Sequence, residues 1–333
     1  MGRMGTAFQS AEIVKNERKR LGTSLKGKDF LKLSDFTPSE IHLLLEEAAR
    51  LKRMKKEGIP HPFLAGKILG MIFEKSSTRT RVSFEAGMIQ LGGNAIFLSS
   101  RDLQLGRGES IHDTGKVLSR YVDGIMIRTY SHEMVEELAR EATVPVINGL
   151  TDTHHPTQVL ADLLTIKEVK GDLKGLKVAF VGDGKNNMAH SLLEGAALTG
   201  MHLVIGTPAG FEPDPEIFHQ AKRISSMTEG SVQVTTSPEE AVAEADVVIT
   251  DVWASMGQEE ESEKRKILLA PYQVNSRLVQ YAKSDYIFLH CLPAHRGEEV
   301  TEEIIDGDHS VVFEEAENRL HAHKAILHLF MGT

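Results

Sequence analysis

Cysteine is almost missing from this chain: Cys291 is the single one in 333 residues. An intrachain disulfide is thereby excluded, and so is a zinc site built from four thiolates. Nowhere does the chain approach the ~18 to 20 uninterrupted apolar residues of a membrane span, and its amino terminus lacks the apolar centre of a secretory signal. The expectation is a soluble protein of a reducing compartment, the cytoplasm, without membrane contact. Positive charge is scarce too. Lys and Arg number 38 against 47 Asp and Glu, a formal net charge of −9, so no broad basic surface is available for nucleic acid or acidic lipid. Any anion bound here must be held by local geometry. The G-x4-G-K-[ST] nucleotide loop is also absent, so a bound phosphate need not belong to ATP.

What is present is ordinary globular composition, 41% hydrophobic and 26% charged, with enough length for two cores. The first 24 residues, with the basic run Lys15, Arg18, Lys19 and Arg20, read as a flexible leader. Thr37-Pro38-Ser39-Glu40 carries a capping residue, a proline for the first helical position and a glutamate three residues on, which predicts an amphipathic helix. Apolar runs then alternate with helical patterns: strands at Ile68 to Phe73, Ala95 to Leu98, Gly124 to Ile127 and near Val144 to Ile147, with helices between. A second series follows the charged stretch Lys167 to Lys177, with strands at Val178 to Val181, Leu203 to Ile205, Val232 to Val234, Val247 to Thr250, Ile287 to Leu289 and Val311 to Phe313. A last helix runs from about Glu315 to Phe330. Such alternation predicts an α/β fold of two doubly wound domains, each a mostly parallel sheet flanked by helices.

Four segments carry candidate chemistry. In Ser76-Ser77-Thr78-Arg79-Thr80-Arg81 a strand runs into hydroxyls and guanidinium groups at a helix start, where amides, dipole and arginine together suit an anion. Arg128 and His155-Pro156-Thr157-Gln158 follow further strands, and ligands of open parallel sheets collect at those strand ends. Gly182-Asp183-Gly184-Lys185-Asn186-Asn187 imitates a dinucleotide fingerprint, but Asn187 stands where its third glycine belongs and no acidic residue follows the next strand. A nicotinamide-dependent oxidoreductase is thus a distant reading, and the asparagines become candidates for a smaller polar ligand. Asp251-Val252-Trp253-Ala254-Ser255-Met256-Gly257 places a carboxylate at a strand end. The charged run Glu259 to Lys266 beyond it reads as a solvated face that could move as a lid. Last, His290-Cys291-Leu292-Pro293 sets the lone thiol at another strand end, inert in an apolar pocket and activated beside arginine.

With these motifs the chain resembles the aspartate and ornithine carbamoyltransferase family over about residues 25 to 330. Ser77-Thr78-Arg79-Thr80-Arg81 and His155-Pro156-Thr157-Gln158 match segments shared across that family; Asp251 to Gly257 and His290-Cys291-Leu292-Pro293 resemble the ornithine-specific branch. The resemblance implies transfer of the carbamoyl group of carbamoyl phosphate to the side-chain amine of L-ornithine, giving L-citrulline in arginine biosynthesis or the reverse in catabolism, with no cofactor and no metal. Putrescine or acetylornithine is the nearest alternative amine. Ser77, Thr78, Arg79 and Thr80 would hold the phosphate, with Arg128, His155 and Gln158 directed at the carbamoyl end. Gln104 would reach in from a neighbouring subunit of a homotrimer, or an assembly of trimers, with shared active sites. Asn187, Asp251, Ser255 and Met256 would hold ornithine, Cys291 and Leu292 would lie beside the reacting amine, and Arg319 would close the carbamoyl phosphate pocket. The implied division is a carbamoyl phosphate domain over 25–169, completed by the helix 315–333, and an ornithine domain over 170–314.

Overall fold

The computed structural model describes residues 25–99, 108–253 and 262–332. The expected leader, Gln104, Ser255 and Met256 lie outside them. The first helix, α1 (Pro38–Lys56), begins as its sequence requires: the Thr37 hydroxyl accepts from the Glu40 N–H, the Glu40 carboxylate accepts from the Thr37 N–H, and Pro38 occupies the first turn. There follow β1 (Ile68–Phe73), α2 (Thr78–Gln90), β2 (Asn94–Ser99), α3 (Ile111–Leu118), β3 (Gly124–Arg128), α4 (His132–Glu141), β4 (Val146–Leu150) and α5 (Pro156–Lys170). Beyond Gly171 come β5 (Lys177–Val181), α6 (Asn187–Thr199), β6 (His202–Gly206), α7 (Pro215–Met227), β7 (Ser231–Thr235), α8 (Pro238–Val242) and β8 (Val247–Thr250). The chain ends with α9 (Ser262–Leu269), β9 (Ile287–His290), α10 (Glu302–Ile305) and α11 (Val312–Met331).

These strands form two parallel sheets, ordered β2-β1-β3-β4 and β7-β6-β5-β8-β9. The inner strands are buried almost throughout, because helices cover both faces, whereas the edge strands β2 and β7 are mostly half-buried or exposed. Each sheet reverses its strand order once, between β1 and β3 and between β5 and β8. Those switch points leave crevices beyond the strand ends. Helices α5 and α6 join the sheets through one continuous apolar core. They cross so closely that a Cβ on Gly195 would meet Val159 Cγ1 at 2.8 Å.

One expected strand does not form. Val311 to Phe313 opens α11 instead, and the strand-like pairing with β9 is limited to a single bridge between Ser310 and Phe288. A three-residue apolar run has no distinguishable period, and here Val312 is buried while Phe313 is 68% exposed at the helix start. Helix α11 then crosses back to the first sheet and packs on α1, α2 and α5. Its Phe330 ring meets Phe30 and Phe36 edge-on, both at 5.7 Å between centroids, and its carbonyl accepts from the Gly27 N–H at 3.0 Å. Phe330→Ala should therefore cost about 3–5 kcal/mol, read as a lowered denaturation midpoint; an unchanged midpoint would refute this anchoring.

Candidate active site

The Ser77 hydroxyl caps α2 by accepting from the Thr80 N–H at 3.2 Å. The first amides of that helix lack intrahelical acceptors and sit at its positive end, beside the side chain of Arg79. Arg128 ends β3 one strand away, in register with Phe73 of β1. His155 precedes Pro156 at the start of α5, and its N–H is fixed by the Ser191 hydroxyl at 2.8 Å. Across the crevice, Asn187 opens α6, Asp251 follows β8 and Cys291 follows β9. A cavity of about 660 Å³ gathers Ser77, Thr78, Arg79, Arg128, His155 and Arg319 against Asn187, Asp251, Cys291 and Leu292.

Two expected residues sit beneath this lining. Arg319 is buried, and its guanidinium donates to Gln158 Oε1 and to Thr80 Oγ1, each at 2.7 Å. Gln158 and Thr80 thus meet the cavity through Arg319. On the opposite side Asn187 Nδ2 donates to the Thr151 carbonyl at 2.7 Å.

Charge is distributed unevenly. Burial, together with Arg319 and Arg79 nearby, pushes Arg128 down to about 10; burial pushes Arg319 down to about 10 as well, with Arg79 adding to it. Both remain cations at neutral pH, crowded without a carboxylate in direct contact among the described residues, which is the signature of a site built for an anion. His155 is held well below the ordinary imidazole range by burial, then by Arg319 and Arg128, so its ring is neutral, and its Nδ1 has no hydrogen-bond partner among the described residues. Opposite, the Cys291 thiol donates to Asp251 Oδ1 at 3.2 Å, and the same carboxylate accepts from the Val252 N–H and from Asn186 Nδ2. Burial, then Asp251 and Glu315, raise the Cys291 thiol well above its usual value. It is a thiol here, despite the arginines.

Several lining groups escape a reading of the sequence. Asn186, one of the two asparagines already singled out, donates to Asp251 at 3.2 Å while capping α6, a contact that no local pattern announces. Lys75 pairs with Asp152 and lies 4.2 Å from the Tyr130 ring centroid. Arg265, assigned above to a solvated face, is largely buried: it donates to the Trp253 carbonyl at 2.6 Å and pairs with Asp183. Its position within a charged run masked it. His290 is fully buried; its Nδ1 accepts from the Leu292 N–H at 2.9 Å, which leaves Nε2 to donate to Glu299 at 3.0 Å. That bond steadies Leu292, whose φ of 57° lies in the left-handed region.

Comparison with known proteins places this cavity in context. Residues 28–168 match the description "Aspartate/ornithine carbamoyltransferase, carbamoyl-P binding domain", and residues 174–330 match the companion "Asp/Orn binding domain". The chain belongs to the aspartate/ornithine carbamoyltransferase family. Similar family members include the ornithine carbamoyltransferase of Carboxydothermus hydrogenoformans, 62% identical over 309 residues (93% of this chain, 99% of that protein). That of Anoxybacillus flavithermus is 61% identical over 303 residues, covering 91% of this chain and 96% of that one. Among solved structures, the ornithine carbamoyltransferase from Pyrococcus furiosus superposes with a TM-score of 0.90 at 56% identity, covering 92% of this chain and 98% of that one. Two parallel sheets flanked by helices, as expected, are the architecture of this carbamoyltransferase fold. Because its thiol is held protonated, Cys291 should react with iodoacetamide at pH 8 at least ~10-fold slower than free cysteine. Faster alkylation would show a thiolate and refute the assignment.

Proposed function

We propose that the chain transfers the carbamoyl group of carbamoyl phosphate to the side-chain amine of L-ornithine, releasing L-citrulline and phosphate. The observation that carries this reading is one cavity in which Arg79, Arg128 and Arg319 face the Asp251–Cys291 pair. Relatives about 60% identical along nearly the whole chain carry the same activity in their names.

The chemistry follows from charge. Arg79 and the α2 amides around Ser77, Thr78 and Thr80 hold the phosphate, with Arg319, tied to Thr80 and Gln158, closing the pocket behind it. Arg128 and the neutral His155 meet the carbonyl oxygen, where negative charge grows as the amine adds. A neutral imidazole donates without adding a further positive charge to the arginine cluster. Asn187 and Asp251 engage the amino and carboxylate ends of ornithine together with Ser255 and Met256. The attacking amine has a free pKa of about 10.4, so it must shed a proton before it can attack. Asp251 is the anionic partner on that side, and Cys291 orients it as a donor while Leu292 borders the reacting amine. No covalent carbamoyl-cysteine is required.

The same reading places the chain in the cytoplasm, where Cys291 stays reduced, and in a homotrimer that completes each site with Gln104 of a neighbouring copy. An apolar strip supports this: Val82 and Ile89 on α2 and Ile96 on the edge strand β2 are 58%, 63% and 46% exposed, and β2 comes shortly before Gln104 in the sequence.

Phosphate release measured with carbamoyl phosphate plus ornithine, putrescine, acetylornithine or aspartate tests the substrate, with ornithine expected to be the preferred acceptor. Equal turnover with putrescine would overturn the amino-acid assignment. Arg79→Ala should lower turnover at least ~100-fold; near-normal turnover would remove its role. Ile89→Glu combined with Ile96→Glu should shift the particle from trimer to monomer in sedimentation, and an unchanged mass would exclude that strip as the interface.

A further inference from the structure

Behind the arginine cluster the fold buries two carboxyl groups for which the reaction has no direct use. Asp162 lies one turn beyond Gln158 on α5, and Glu315 lies in the first turn of α11; they are 0% and 1% exposed. A single donor, Gln158 Nε2, serves both, at 2.8 Å to Asp162 Oδ1 and 2.9 Å to Glu315 Oε1. Two oxygens sharing one amide nitrogen lie within roughly 5 Å of each other. The second Glu315 oxygen accepts from the His290 N–H at 2.9 Å, whereas among the described residues no N–H or hydroxyl reaches Asp162 Oδ2. The two carboxyl groups, buried side by side on one shared donor, are therefore close enough for each to raise the cost of ionising the other. Ionised carboxylates are acceptors alone, so the single Gln158 amide cannot satisfy both as anions, and a proton on one of them supplies the missing donor.

Burial pushes Asp162 up to about 7, and burial with Asp162 beside it pushes Glu315 well above the usual carboxyl range. The other charged or titratable groups facing the pair are Arg319, Asp251 and Cys291. Two buried like charges at this separation cannot both ionise cheaply. Full protonation is also unfavourable, because it would leave the buried Arg319 guanidinium without a nearby anion.

We propose that Asp162 and Glu315 share one proton in the folded enzyme, and that this acid–carboxylate pair is a positioning device for the carbamoyl phosphate pocket. It holds the Gln158 amide with its nitrogen toward the pair, so that Oε1 faces Arg319 and fixes the guanidinium that also grips Thr80. It sets one negative charge against Arg319 and leaves Arg79 and Arg128 to the ligand. The functional consequence rests on the carbamoyl phosphate reading above; the shared proton does not.

Infrared spectra of the full-length protein at pH 7, in H2O and D2O, test the proton without substrate. The expected result is a deuterium-sensitive carboxylic-acid carbonyl band that is lost in Glu315→Gln or in Asp162→Asn. Absence of the band from the wild type, or its persistence in both variants, overturns the proposal. Carbamoyl phosphate binding then reads the positioning role. Glu315→Gln, which keeps a neutral group of the same shape, should weaken binding no more than ~3-fold, and Glu315→Ala at least ~10-fold. Equal weakening by the two would remove that role. In the wild type, rising pH strips the shared proton, adds a second buried negative charge and lowers affinity; Glu315→Gln should lack this alkaline limb, and its retention would overturn the coupling. A band present in the wild type and lost in the variants, in a protein that does not bind carbamoyl phosphate, would leave the pair standing and the pocket reading refuted.

Discussion

The buried guanidinium of Arg319 is the interaction on which the rest of the site depends. It arises near the chain's end, on α11, and bridges α5 and α2 through Gln158 and Thr80. The final helix must therefore return to the first sheet before the anion pocket exists, and the aromatic contacts of Phe330 with Phe30 and Phe36 hold it there. Bringing Arg79, Arg128 and Arg319 together costs desolvation and mutual repulsion, and apolar packing elsewhere in the core offsets it. The cost is useful: donors already in place at the moment of reaction need no reorganisation.

The two walls of the cavity divide the chemistry by charge. On one side stand cations and a neutral imidazole, suited to a phosphate and a polarised carbonyl. On the other stand Asp251, its two amide partners and a thiol that remains protonated because burial outweighs the nearby arginines. Both walls sit at strand-order reversals of their sheets, so the cleft between them is a product of topology as much as of side chains.

Much of this was legible beforehand, for identifiable reasons. Inner parallel strands such as Val247–Thr250 are unbroken apolar runs, and Thr37 with Glu40 announces a helix start, because both signals are local. The Ser77 to Arg81 and His155 to Gln158 segments carried donor types that suit an anion. Val311 to Phe313 was misread because three apolar residues suit a strand or a helix equally, and packing against β9 and the first sheet decides between them. Arg265 was misread because its neighbours in sequence are charged, while its partners, Asp183 and the Trp253 carbonyl, come from other strand ends.

By itself the sequence determined the alternation of strands and helices, the scarcity of thiols, and which residue types could meet an anion or an amine. Those are properties of neighbours along the chain. Only the tertiary structure decided that Cys291 is a protonated donor, that His155 is neutral, that Gln158 faces two buried carboxyls, and that Asn186 shares Asp251 with Cys291. Each of these depends on burial and on charges contributed from distant parts of the chain, and no local pattern encodes them.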